Sequence, residues 1–499
     1  MSLFPARVLP LQALSVTEPA QDGPGADRRR ERAVVATVGA IAVAGLALRL
    51  WCSAGPLWVD EVWSLRNLRP ITHFWDILWG ISHDNNHFAN SLWLFFALPL
   101  GDNSTWLRLP SILAGALAIP VMARLGARSG PAGSIAVAAL AALSFFQLTY
   151  SVEARGYAGA TLALMVGFAA LERAIAEPRG SARLLLAAAA GVGLFCHLAV
   201  GPAMVLYGLI ALGEILRREG SARRAVIGAF HIFWPTTLAM APATFCVLAG
   251  IVFTGGFTIG AARPYAASHA LAAMTNMAMT TLGLWPESRP AAAFALLALP
   301  LLLVGAILWL APVERRIAYG VTLIGVPAAV FVLHPANSHP PRYFFLCSIF
   351  LLLLAADAFA ALWRRPDSPR ALALCALAAV LLGDAASAAR FEAGKRATWP
   401  DALAAVAASG ETRLASNLDF NVGKEVDAFN RSRGATLDLV PAEALCARAP
   451  AWYVLESAQL PATPVLTVEG AGCRLTFALQ GVYDEHIPSQ TPWALYQRR

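Results

Sequence analysis

The chain has 499 residues, 58% of them hydrophobic and only 14% charged, with a mean hydropathy of +0.58. A soluble domain carries about 25% charged residues, so this composition excludes a soluble globular protein and indicates a polytopic α-helical membrane protein. The net charge of +7 comes almost wholly from arginine, Lys395 and Lys424 being the only lysines, and the arginines cluster between apolar runs as topology signals do, not as a nucleic-acid-binding face does.

Residues 1–32 are polar, end in Arg28-Arg29-Arg30-Glu31-Arg32 and read as a cytoplasmic tail. The apolar run at 33–51 is too long for a signal-peptide core and has no clear small-residue cleavage pattern after it, so it is expected to be an uncleaved first span. A long outer loop, 52–107, follows. Within it His87–Leu100 is apolar, but counting it as a span would put Arg124 and Arg128 outside, so it is expected to lie along the outer membrane surface. Further spans are expected at 108–124, 132–150, 157–174, 184–197, 199–216, 226–253, 290–311, 317–334, 343–363 and 371–389, with a loop and half-buried helix at 254–289. That makes about eleven spans in a domain covering 33–392, by the length rule for apolar helices.

From residue 393 to 499 no apolar run is long enough to span. Strand-like stretches (Thr412–Ser416, Ala451–Leu455, Val465–Val468, Arg474–Leu479, Trp493–Gln497) alternate with helix-like ones (Trp399–Ala408, Gly423–Asn430, Ala442–Ala447), which predicts a small α/β domain on the outer face. Cys446 and Cys473 within it can pair if that compartment is oxidising, or remain thiols.

The chemistry-bearing residues fall at the outer ends of spans. Asp60 and Glu61 sit between Trp58 and Trp63, shortly after the first span. They read either as acids favoured by a helix N-terminus or as partly desolvated carboxylates suited to act as a base. The run His83-Asp84-Asn85-Asn86-His87 suits hydrogen bonding to a sugar or to Asp60, a divalent cation, or a plain polar loop. Arg108 opens the second span and is either a snorkelling side chain or a ligand for substrate. Glu153 and Arg155 lie in a tight loop, Tyr150 to Tyr157, where charge is expensive unless paired with each other or functional. His197 ends the fifth span and reads most simply as a core histidine. Arg263-Pro264-Tyr265 and His339-Pro340-Pro341-Arg342-Tyr343 put arginines on the outer side, against the positive-inside trend; that suits an anionic ligand such as a lipid phosphate.

These motifs together resemble the GT-C glycosyltransferases. The Asp60-Glu61 pair after span 1, the Asp84 patch before an interfacial helix, Arg108-Leu109-Pro110-Ser111 with Gly115, and Tyr150-Ser151-Val152-Glu153-Ala154-Arg155-Gly156-Tyr157 follow one another in that order. The similarity covers about residues 34–360 and is strongest to the bacterial branch of protein O-mannosyltransferases and lipid A aminoarabinose and galacturonic acid transferases. One departure is Asn86-His87-Phe88-Ala89-Asn90, which lacks the proline usual at the start of the interfacial helix. The resemblance implies a polyprenyl-phosphate-linked sugar as donor, a lipid, glycan or protein acceptor, and reaction on the outer face of a bacterial inner membrane. It further implies Asp60 as the catalytic carboxylate, with Glu61 beside it. Asp84, His87, Arg108, Glu153, Arg155, Tyr157, His197, Arg263, Tyr265, Arg342 and Tyr343 are the expected substrate-binding residues, and no metal ligand is assigned. A transporter or flippase of a lipid-linked saccharide is the competing reading. Transporters usually place ionisable residues near the midplane and show inverted repeats, whereas these candidates lie at span ends.

Overall fold

The computed structural model describes residues 24–177, 180–260, 264–285, 293–367, 369–394, 397–456, 463–483 and 492–499. Helix α1 (Pro24–Cys52) is the first apolar run. The segment after it carries three short helices, α2 (Val59–Leu68), α3 (Asp76–Trp79) and α4 (Phe88–Ala97). The chain then forms α5 (Ser104–Gly126), turns at Gly130 with φ +82°, and returns as α6 (Gly130–Leu143), α7 (Phe145–Ser151) and α8 (Tyr157–Ala176). Helices α9 (Gly180–Cys196), α10 (Val200–Glu219), α11 (Ala222–Thr254) and α12 (Ala267–Thr281) follow. Later helical segments include Leu299–Trp309, Val326–Leu333, Phe345–Arg364 and Arg370–Gly394.

Among the described residues eight helical segments are long and apolar enough to cross a membrane, and Phe88–Leu100, Gly180–Cys196 and Phe294–Trp309 are shorter apolar helices. Large apolar side chains such as Phe230, Trp234, Leu238, Phe245 and Val252 are exposed along α11, as a lipid-facing surface requires and a water-facing one does not tolerate. The chain is a polytopic α-helical membrane protein. Helix α11 has 33 residues, about 50 Å at 1.5 Å per residue, against a hydrocarbon core of about 30 Å. The excess length carries the chain beyond Gly255 to the 82–84 segment, where Ser82 Oγ donates to Gly256 O at 2.5 Å and His83 bridges Thr258.

The run 132–150, expected as one span, is broken at Ser144, whose φ and ψ (−44°, 117°) are not helical. Two buried polar side chains support the break. Arg49 of α1 donates to the carbonyls of Ala141 and Ala142 at the C-terminal end of α6, and Asp384 accepts from the N–H of Phe145 at the start of α7. A guanidinium on a helix C-terminus and a carboxyl oxygen on an N-terminus each satisfy groups the helices leave open. At the opposite end of the bundle, Arg315 is not a solvated topology residue as its cluster implied. It is 1% exposed and pairs with Glu172 (2.8 Å) and Asp357 (3.3 Å), while Ser129 and Tyr319 donate to the same Asp357.

Among the described residues the C-terminal domain carries a six-stranded sheet in the order β2-β1-β3-β6-β5-β4. Its strands are β1 (Arg413–Ser416), β2 (Asp438–Leu439), β3 (Trp452–Glu456), β4 (Val465–Gly470), β5 (Cys473–Tyr483) and β6 (Trp493–Arg498). Strands β2, β1 and β3 are parallel; β6, β5 and β4 continue antiparallel. The helix expected at Gly423–Asn430 runs from Asp419 to Arg433. The two-residue β2 was not anticipated, being too short for an alternating pattern. Helix Asp419–Arg433 packs against α2, and Trp399 Nε1 donates to Leu57 O at 2.9 Å, so the domain sits on the segment that begins α2.

Cys446 and Cys473 form a disulfide across a sequence separation of 27 residues. Closing a loop of that size stabilises a domain by about 3 kcal/mol in the chain-entropy account. Cys446→Ser is therefore expected to lower the unfolding midpoint of the C-terminal domain. Cys446→Ser/Cys473→Ser should lose no more than either single change, read by denaturant titration under non-reducing conditions.

Candidate active site

Helix α2 starts at Val59 with Trp58 as its N-cap, which puts Asp60 and Glu61 in its first turn. The two residues of the pair take different environments. Glu61 reaches back to the N–H of Trp58 at 3.0 Å, half of a capping box. Its Oε1 also accepts from Arg108 Nε (2.9 Å) and Ala154 N (2.6 Å), and its Oε2 from Arg108 Nη2 (2.7 Å). Arg108, at the start of α5, spends its remaining donors on the carbonyls of Ser53 (2.6 Å) and Pro56 (2.9 Å). Both side chains are 0% exposed. Glu61, expected beside the catalytic carboxylate, and Arg108, expected to bind substrate, are thus each closed inside the protein on partners of their own.

Asp60 faces the other way. Its carboxylate is 13% exposed, and Oδ2 takes both Arg155 Nη1 and Arg342 Nη2, the latter at 3.4 Å. Burial opposes ionisation of Asp60, but Arg155, Arg342 and Lys424 outweigh it and hold the carboxyl below its usual range. The Glu153–Arg155 pairing considered from the sequence gives way to Arg155–Asp60, although Glu153 remains a charge that Arg155 feels. Arg155 is held in place by its own loop. Ser111 Oγ donates to Arg155 O at 2.8 Å, and Asn90 Nδ2 donates to Ala154 O at 2.6 Å. At Gly156 any Cβ would overlap the Cys196 carbonyl, so the loop lies directly on the end of α9.

Arg155 Nη2 also donates to Asn85 Oδ1 (2.7 Å) and to His87 Nε2 (3.1 Å). His87 must then donate through Nδ1 to Cys196 O at 3.2 Å, which makes it neutral. Burial, reinforced by the neighbouring His197 and Arg155, pushes its pKa well below the ordinary value. His197 accepts from Ala199 N at 3.0 Å through Nδ1. Burial, then Arg155 and Arg342, push it down to about 3. His197 is therefore not a cationic group for an anionic leaving group; together with His87 and Tyr157 it forms a neutral aromatic wall with ring centroids 4.3–4.6 Å apart for the His197 pairs.

The remaining candidates divide. Tyr343 lies within cation–π reach of Arg342, 5.7 Å from its guanidinium carbon. Asp84 accepts from Gly260 N at 3.1 Å and pairs with His83 at 2.7 Å, tying the end of the α11 extension to this segment. Tyr265 stacks on His334 at 4.5 Å. Arg263 lies outside the described residues. Among the described residues no group of three His, Cys, Asp or Glu side chains is arranged to hold a metal ion; His83 turns to Asp84 while His87 turns to Arg155 and α9.

Asn85, which accepts from Arg155 and donates to the Asp60 carbonyl (3.1 Å), lies in the run flagged from the sequence but was not singled out within it, and Lys424 of the C-terminal domain was not flagged as a candidate at all. The rarity of lysine in an arginine-rich chain was the one signal pointing to Lys424.

Glu61→Gln leaves Arg108 buried without its counter-charge. Such breaks cost about 3–5 kcal/mol. We expect loss of monodisperse protein or a marked drop in thermal midpoint in detergent. A fully stable Glu61→Gln protein that loses only catalysis would contradict the positioning role.

No protein-family model matches the chain, and no curated protein matches it. Among solved structures it is similar to ArnT from Cupriavidus metallidurans in the apo state, at 14% identity and a TM-score of 0.40, over 93% of this chain and 98% of that one. It is also similar to the arabinosyltransferase EmbB from Mycobacterium smegmatis, at 16% identity and a TM-score of 0.32, over 73% of this chain and 44% of that one.

Proposed function

We propose that the chain is a GT-C-type glycosyltransferase that moves a sugar from a polyprenyl-phosphate carrier to a hydroxyl of an envelope lipid, glycan or protein. The observation that carries this reading is one largely buried carboxylate, Asp60, shared by two guanidiniums at the ends of membrane spans. A base and a surplus of positive charge lie side by side where a lipid phosphate would present its sugar.

Asp60 serves as the general base. It takes the proton of the acceptor hydroxyl as that oxygen bonds to the anomeric carbon. The bond from that carbon to the phosphate oxygen breaks, and polyprenyl phosphate leaves with the electron pair; direct displacement inverts the centre. The leaving phosphate needs cations more than an acid. Arg342 suits it: among the described residues Asp60 is its only carboxylate partner, and its Nε is buried without a hydrogen-bond partner. A phosphate that draws Arg342 away also removes one of the charges that depress Asp60, making it a better base in the loaded site. His87, His197 and Tyr157 offer a neutral face for the sugar, and Glu61 with Arg108 fixes α2 beneath Asp60. The disulfide Cys446–Cys473 supports an oxidising outer face for this end of the bundle, since disulfides persist in such compartments. A bacterial inner membrane with the site facing out fits that.

Asp60→Asn is expected to abolish transfer, by about 100-fold or more for loss of a general base, with membrane insertion intact. The readout is mass spectrometry of envelope glycolipids and glycans with and without each variant. An unchanged envelope would sink the reading. Arg342→Ala should raise the KM for the lipid donor and spare that for the acceptor. The base works ionised and its pKa is depressed, so kcat/KM should fall only below the usual carboxylate range; Arg155→Gln should shift that acid limb upward.

A further inference from the structure

We propose that Lys424, delivered by the C-terminal domain and seated on Trp63 one helical turn from Asp60, is a positioning residue that acts on the Asp60 carboxylate. This rests on the function proposed above and assigns the C-terminal domain a part in it.

Lys424 is one of two lysines in the chain and the one within the described residues. It lies on helix Asp419–Arg433, the face of the domain that packs on α2, and is 2% exposed. A buried ammonium requires compensation. Part comes from two aromatic rings: Nζ lies 3.5 Å from the ring centroids of both Trp63 and Phe420, well inside cation–π range. Trp63 is wedged edge-on between Phe420 (5.1 Å) and His83 (4.2 Å), so the seat joins α2, the 83–87 segment and the domain. Trp63 follows Asp60 by three residues, one turn on the same face of α2.

The other part is Asp60 itself. Of the charges that act on Lys424, Asp60 is the strongest favourable one, ahead of Glu425 and Glu456, while Arg66 opposes. On the Asp60 side, Lys424 acts together with Arg155 and Arg342. Burial pushes the Lys424 amine down to about 8 in spite of Asp60, so it is charged at neutral pH and close to losing its proton. The consequence emerges in the loaded site. When a phosphate occupies Arg342, Asp60 retains Arg155, already shared with Glu153, and Lys424. Without Lys424 the buried carboxylate beside a phosphate would be drawn toward its protonated, inactive form.

Two measurements test this on the full chain. In membrane vesicles using the endogenous donor, kcat for the envelope product that requires Asp60 is followed against pH. Lys424→Met should move the acid limb upward by about half a pH unit or more, roughly threefold in protonation. Lys424→Arg, which keeps the charge, should leave it in place. A purely structural lysine would lower the amount of folded enzyme without moving the limb, and an unmoved limb in Lys424→Met overturns the proposal. In a Lys395→Arg background Lys424 is the sole lysine, so its acetylation against pH, read peptide by peptide, reports its ionisation without any activity. A midpoint near 8 that falls further in Asp60→Asn is expected, because the coupling is reciprocal. A midpoint indifferent to Asp60 overturns it. Normal transfer by Asp60→Asn would instead refute the function itself, which separates the two failures.

Discussion

The buried pair of Glu61 and Arg108 is the contact on which the site depends. Two opposite charges sealed from water attract strongly, but each also pays a desolvation penalty that only complete hydrogen bonding offsets. Here that bonding is complete enough to join four separate pieces of chain. Arg108 holds the end of α1 through Ser53 and Pro56. Glu61 holds the start of α2 through Trp58 and the 151–156 loop through Ala154. Asp60 is adjacent in sequence, so its direction is fixed by its neighbour's closure: once Glu61 points inward, the helical turn leaves Asp60 facing the opening.

The fixed loop then delivers Arg155 to Asp60, and the start of the Phe345–Arg364 span delivers Arg342. The two imidazoles nearby are neutral, because burial and the guanidiniums both oppose a further positive charge. Charge in the site is thus carried by arginine and lysine around one carboxylate, with aromatic and imidazole surfaces supplying shape. The C-terminal domain covers α2, and Lys424 on it is a third cation whose charge acts on Asp60.

Much of this was legible in the sequence. The apolar runs coincide with helices because length and hydropathy are set by the membrane itself. The strands of the last domain coincide with the strand-like stretches of the sequence, apart from the two-residue β2. The cluster of Asp60, Arg155, His87, His197 and Arg342 was anticipated as a set of polar residues at one end of the spans. What the sequence could not separate was Asp60 from Glu61: adjacent acids carry the same pattern, and only three-dimensional closure by Arg108 and Ala154 assigns one to structure. Arg108 carried two readings for the same reason, since a lone arginine looks alike whether it snorkels or meets a ligand, and only the fold shows it sealed on Glu61. The break at Ser144 was hidden because Arg49 and Asp384, which support it, lie 95 and 240 residues away from it in sequence. Lys424 was hidden because its partners, Asp60 and Trp63, lie in another domain.

The central claim is that a lipid phosphate binds at Arg342 with its sugar above Asp60. A cryo-electron microscopy structure of the full chain with a polyprenyl phosphate tests it most directly. The account predicts phosphate oxygens within about 3 Å of the Arg342 guanidinium, and the Asp60 carboxylate turned toward open space where an acceptor would enter. Phosphate bound at the opposite end of the bundle, near Arg124 and Arg173, with the Asp60–Arg342 contact unchanged, would contradict it.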